Sequence, residues 1–126
     1  MQESTPIILT ENDFFALKKY VGQTSDKESA IYLSRELEYA IVVDDEMLPK
    51  TCVRLNSHVK IKEIPGNSLL DFRIVVPENE DVINKKISVL SSLGATLIGL
   101  SQSEKIEKAI DGKTRYYEII EVINYS

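Results

Sequence analysis

The chain has no tryptophan and a single histidine and cysteine, His58 and Cys52. One cysteine allows no internal disulfide, which fits a reducing compartment. A lone histidine with no cysteine at ligand spacing argues against a zinc-type site. There is no phosphate loop, no dinucleotide fingerprint and no glycine-flanked serine of the nucleophile-elbow type. No nucleophile, base and orienting group can be assembled from what remains. No apolar run reaches membrane-spanning length, and the N-terminus lacks a charged-then-apolar leader. These absences favour a soluble, cytoplasmic, non-enzymatic protein with no cofactor, no metal and no membrane partner, and a monomer is expected.

Net positive charge is also missing. The formal charge is -5, and residues 1–45 account for all of it, with 9 acidic and 4 basic side chains against 11 of each in residues 46–126. An acidic front half on a neutral body argues against tight binding to a phosphate backbone. No stable, sequence-specific nucleic-acid contact is expected, although Arg115, Tyr116 and Tyr117 have the chemistry to stack on bases.

The densest apolar block runs from Ile87 to Leu100, ISVLSSLGATLIGL, and holds two of the five glycines. Ile87 to Leu90 reads as a short strand. Ser91 and Ser92 offer a turn and a helix cap. Leu93, Leu97, Ile98 and Leu100 recur at near-helical spacing, with Gly94 and Ala95 between them. Gly99 can end the helix in a left-handed conformation. A strand turning into a small, nearly all-apolar helix closes the core of a sheet. Gly94 and Gly99 then let the helix approach that sheet and stop.

Ahead of this block lie two helical patterns. Thr10 followed by Asp13 resembles a capping box with aspartate in place of glutamate. Phe14, Leu17, Lys18 and Val21 share a face, and Gly22 is expected to end the first helix. Ser25, with Glu28 three residues on, is expected to cap a second, whose stripe is Ala30, Leu33, Leu37 and Ala40 or Ile41. The pair makes an antiparallel hairpin. A helix from Glu11 to Val21 would be only about 16 Å long, so the hairpin should lean on the body or on a partner. Val42 to Lys50, with Asp44, Asp45, Glu46 and Pro49, reads as a solvated linker. Residues 1–45 are thus a helical arm with its linker, and residues 46–126 a separate body.

In the body the period changes to two. Val53 and Leu55 alternate with Arg54, which puts Cys52 on the opposite strand face as a partly covered thiol. Val59 and Ile61 form the next strand, and Pro65, Gly66 and Asn67 a turn. Leu70, Phe72, Ile74 and Val76 make another strand. Pro77 to Asp81 is loop-like. Glu104 to Ile110 and Lys113 to Ile123 are strands joined at Asp111-Gly112, the strongest hairpin signal in the chain. The fold class is α+β: an antiparallel sheet of about five strands with one short packed helix, preceded by the helical hairpin.

Few side chains carry chemistry. His58 is expected at a surface or edge. The Lys60–Lys62 and Lys85–Lys86 pairs look like ordinary balanced strand faces. Asp26 and Glu28, at the hairpin tip, are the candidates for completing a magnesium site in trans. The structural reading, charges suited to a first helical turn, is the simpler one.

The organising stretch resembles the C-terminal signature of the GreA/GreB transcription elongation factors, and more closely that of their short-armed relative, the regulator of nucleoside diphosphate kinase (Rnk) family. The family's I-S-V-L strand and following small-Pro-Leu-Gly-Ala-Ala-Leu-Leu-Gly-Leu helix align without gaps with Ile87 to Leu90 and Ser91 to Leu100. Its Met-Asn-Ser looks like Leu55, Asn56 and Ser57, its aspartate-rich loop like Pro77 to Asp81, and its Gly-Gly turn and last strand like Gly112, Lys113 and Glu118 to Tyr125. Ser92 stands in place of the signature's proline, Ser103-Glu104 in place of Gly-Asp, and Ala109 in place of a proline.

The resemblance implies an FKBP-like body and marks Asn56, Ser57, Ser91, Leu93, Gly94, Leu97, Gly99, Leu100 and Gly112 as structural or docking positions. It implies bacterial RNA polymerase as partner, bound beside the secondary channel, with the arm too short to stimulate transcript cleavage. The alternatives are an FKBP-like prolyl isomerase or a general protein-interaction domain.

Overall fold

The computed structural model describes residues 6–24, 27–110 and 112–124. Along the chain run β1 (Ile8–Thr10), α1 (Glu11–Gln23), α2 (Glu28–Glu38), β2 (Ile41–Val43), β3 (His58–Ile64), β4 (Leu69–Val75), β5 (Lys86–Ser88), α3 (Ser92–Leu97), β6 (Lys105–Ile110) and β7 (Lys113–Ile123). This is the α+β arrangement expected, with two refinements. A parallel pair, β1 and β2, brackets the helical hairpin. The main sheet, ordered β5-β4-β3-β7-β6, is mixed, because β5 runs parallel to β4. The chain leaves β4 through 3-10 turns at Pro77–Asn79 and Val82–Asn84. That crossover returns it in the same direction, where a tight hairpin would have reversed it.

Strand parity breaks at one place. The β3–β7 register shifts between Lys60 and Ile61, which pair with Glu121 and Ile119. The intervening Ile120 is the extra residue of a bulge. Tyr117, Ile119 and Val122 are therefore the buried side chains of β7, while Tyr116 is exposed. Gly112, at φ +76°, turns the chain from Ile110 into Lys113. Asp111 lies outside the described residues.

Several local expectations are corrected. Helix α1 continues through Gly22 to Gln23, and Thr24 is its C-cap. Gly22 has open space around it and ends nothing. Lys18 is exposed, its ammonium 5.5 Å from the Phe14 ring centroid. Helix α2 starts at Glu28 with Lys27 at the N-cap and no side-chain cap bond; Ser25 lies outside the described residues. Ile41, an expected alternative in the α2 stripe, and Val42 and Val43, the start of the expected linker, form strand β2.

Residues 52–55 form no named strand. Cys52 and Val53 are both fully buried. They thread between β1 and the residues after α3, through Val53 N–H to Leu100 O at 2.7 Å and Gly99 N–H to Val53 O at 2.9 Å. With no solvated face available, alternation has nothing to act on. Burial pushes the Cys52 thiol up from its ordinary pKa.

The hydrophobic core is continuous. Leu17 of α1 and Leu33 and Leu37 of α2 belong to the same cluster as Val59, Ile61, Ile74, Leu97 and Ile119. Burying a leucine contributes about 1.5–3 kcal/mol, and Leu17 and Leu33 are each fully covered. The hairpin leans on the body, which gives two short helices the packing they need.

Candidate functional site

The signature residues sit at backbone joints. Ser91 caps α3: its hydroxyl accepts from Gly94 N–H at 3.1 Å and donates to Ser88 O at 2.6 Å. A Cβ on Gly94 would fall on the Ser88 carbonyl oxygen, far inside contact distance. Only glycine lets α3 lie this close to the end of β5. Leu97 and Ile98 are fully buried behind it, while Leu93 and Leu100 pack against the core from partly exposed positions. Gly99 has φ +82°, and a Cβ there would meet Ile7 Cβ at 2.5 Å. Its carbonyl accepts from Ile8 N–H at 3.1 Å, so the glycine joins α3 to β1.

Asn56 and Ser57 make the other joint. Asn56 takes a left-handed φ of 74° and donates its N–H to Ile74 O at 2.7 Å. Ser57 is fully buried; its hydroxyl accepts from Arg54 N–H at 2.8 Å and donates to Asn124 Oδ1. Asn124 in turn donates to the carbonyls of Lys50 and Cys52, each at 2.8 Å. The network locks the end of β7 to the segment entering β3. Its members hold the body together.

The first turn of α2 lies beside the body. Ser29 Oγ donates to Leu90 O, just ahead of α3. Exposed Glu28 lines a cleft with Tyr32, Ser92 and Lys108. Asp26 lies outside the described residues. Among the described residues, no group of three histidine, cysteine or acidic side chains is positioned to hold a metal ion.

Two further polar ties join hairpin and body. The Asp13 carboxylate accepts from Leu55 N–H at 3.0 Å, and Tyr20 Oη donates to Glu78 Oε2 at 2.9 Å. Thr10 caps α1 as expected, accepting from Asp13 N–H at 3.2 Å. The Asp13 side chain does not complete a capping box, because it reaches across to the body. The Thr10–Asp13 spacing hid this role; the mismatch between aspartate and the usual glutamate was the only clue. No sequence signal distinguished Tyr20 or Asn124.

Burial raises the pKa of Asp13 above 3.8, with the Leu55 N–H and Arg54 opposing it. A carboxyl whose folded pKa is raised contributes stability below its unfolded pKa, and that contribution is lost as pH rises through the folded value. Asp13→Asn keeps an acceptor for Leu55 and has no charge to bury. In urea titrations it should match or exceed the parent above about pH 5, the advantage fading below about pH 4. Asp13→Ala strands the Leu55 N–H and should lose about 1–3 kcal/mol at neutral pH. Equal losses for both variants would rule out this account.

The segment from Pro77 to Lys86 is largely exposed. Asp81 caps its second 3-10 turn, and Asn84 Nδ2 donates to Asp81 Oδ2 at 2.6 Å. Glu80 Oε2 accepts from Ser88 N–H at 3.3 Å, and Asp81 pairs with Lys86 through both backbone bonds, each 2.9 Å. On this pinned frame Ile83 is 92% and Val82 70% exposed. On the outer face of the sheet, His58 lies 3.6 Å from Asp71, which also faces Lys85 at 3.8 Å. Lys60 and Lys62 face Glu121 and Glu118, each pair at 4.0 Å. That is the balanced strand face expected.

Residues 48–124 match the family model for the C-terminal domain of the GreA/GreB transcription elongation factors. The chain belongs to the GreA/GreB family. GreA of Clostridium botulinum is 36% identical over 92 residues, which is 73% of this chain and 58% of that protein. A solved prokaryotic GreA/GreB elongation factor from Nitrosomonas europaea is 30% identical with a TM-score of 0.82, covering 96% of this chain and 100% of that one. Gfh1 of Thermus aquaticus, at 15% identity, covers 96% of this chain and 100% of its own with a TM-score of 0.56, a likeness of fold. The chain thus spans under two thirds of the Clostridium GreA it matches. In GreA/GreB terms, the matched segment is the five-stranded sheet with α3 and both signature joints, and the hairpin precedes it.

Proposed function

We propose that this GreA/GreB family member is of the short-armed Rnk type. It binds bacterial RNA polymerase beside the secondary channel, in the cytoplasm, as a non-enzymatic regulator that does not stimulate transcript cleavage. The observation that carries this reading is the hairpin. Its helices of 13 and 11 residues are about 20 and 16 Å long, and the first turn of α2 is tied to Leu90 on the body. Glu28 accordingly faces a cleft on the protein's own surface.

Purified protein mixed with bacterial core RNA polymerase should co-elute on gel filtration at micromolar concentrations. It should leave the RNA of a stalled complex uncut. Absence of a complex would remove the reading. Cleavage that disappears with Asp26→Ala and Glu28→Ala would instead make the tip a working part.

A further inference from the structure

The Tyr20–Glu78 hydrogen bond joins helix α1 to the 77–86 loop of the body. Tyr20 packs its ring against the core from α1 and aims its hydroxyl at the loop. The Glu78 carboxylate is held below the usual carboxylate range first by its own backbone N–H, then by the Tyr20 phenol, with Lys19 adding a smaller electrostatic contribution. The first 3-10 turn of the loop, Pro77–Asn79, is thereby fastened to the hairpin. The second is fastened to β5 and to itself through Asp81, Asn84 and Lys86. A loop pinned at both turns displays Val82 and Ile83 outward with little conformational freedom left to lose on binding.

We propose that the hairpin is a brace: Tyr20 is a positioning residue that holds the 77–86 loop so that Val82 and Ile83 are presented preformed to the partner. This rests on the polymerase reading above. The matching surface on polymerase is an apolar socket with basic groups on the side facing Glu78, Glu80 and Asp81. The short helices then have a use that requires no reach.

Tyr20→Phe keeps the ring and removes only the hydroxyl. In the free protein it should speed hydrogen exchange of amides 79–86 several-fold while leaving those of α3 and β7 unchanged. Immobilised core RNA polymerase should bind Tyr20→Phe and Glu78→Gln about threefold to tenfold more weakly than the parent. The double variant should be no weaker than either single one, since one interaction is lost in all three. A general loss of fold would instead raise exchange everywhere and add the two effects. Ile83→Asp should abolish binding without altering the exchange pattern elsewhere.

Unchanged exchange at 79–86 in Tyr20→Phe overturns the brace whether or not polymerase binds. Parent-like binding by Tyr20→Phe or by Ile83→Asp overturns it as well. A parent protein that fails to bind polymerase at all removes the functional reading, and with it this use of the loop. The exchange result then reports on the brace alone.

Discussion

Gly94→Ala is expected to lose about 3 kcal/mol of stability, a large share of the roughly 5–15 kcal/mol typical of a domain this size. The added methyl lands on the carbonyl oxygen of Ser88, which is backbone and cannot rotate aside. Relief requires α3 to lift from β5. That breaks the Ser91 cap and opens the layer formed by Leu97 and Ile98, both fully buried. Gly22→Ala is the internal control. Gly22 lies within α1 with nothing near its missing Cβ, so alanine there should stabilise by about 0.5–1 kcal/mol. Urea titrations of the two variants should move the midpoint in opposite directions. A Gly94→Ala midpoint equal to the parent's would mean that α3 does not pack as described.

Leu33→Ala should cost about 2–5 kcal/mol. Leu33 is fully buried and belongs to the cluster that contains Val59, Ile74 and Ile119. Truncation leaves a cavity where α2 packs against α1 and α3, and the surrounding side chains can only partly close it. Ile31 on the same helix is 45% exposed, and Ile31→Ala should cost well under half as much. The sharper readout is cooperativity. With one continuous core, fluorescence of the tyrosines and far-ultraviolet circular dichroism should report a single transition, shifted as a whole in Leu33→Ala. If the helices unfolded as an independent arm, the substitution would split off a low-urea phase and leave the main transition in place.

The Ile87–Leu100 stretch shows how much was legible from residue order. The serine cap, the two glycines and the apolar spacing are local requirements, and each is met within a few residues. The strand formers of β7 and the Gly112 turn are legible for the same reason. Cys52 and Val53 were misread because alternation assumes a strand with one wet face, and here the chain threads between two buried partners. Helix α2 begins at Glu28, as its propensity indicates, and its first turn is held by Ser29 on the Leu90 carbonyl.

The candidate site was harder to read. Asp26 and Glu28 drew attention as an acidic pair at a turn, but charge near a helix start is ambiguous until the direction of the helix is known. Tyr20 and Glu78 are 58 residues apart and neither stands out in composition. Their meeting depends on the hairpin lying down on the body, which is decided by the burial of Leu17, Leu33 and Leu37.

Residue order alone therefore determined the class of fold, which depends on periodicity and short-range spacing, and carried the resemblance to the GreA/GreB signature. Tertiary structure decided the parallel entry of β5, the bulge that sets which β7 residues are buried, and the hairpin's position on the body. Each of those is a long-range pairing, chosen by how much apolar surface the whole chain can cover at once.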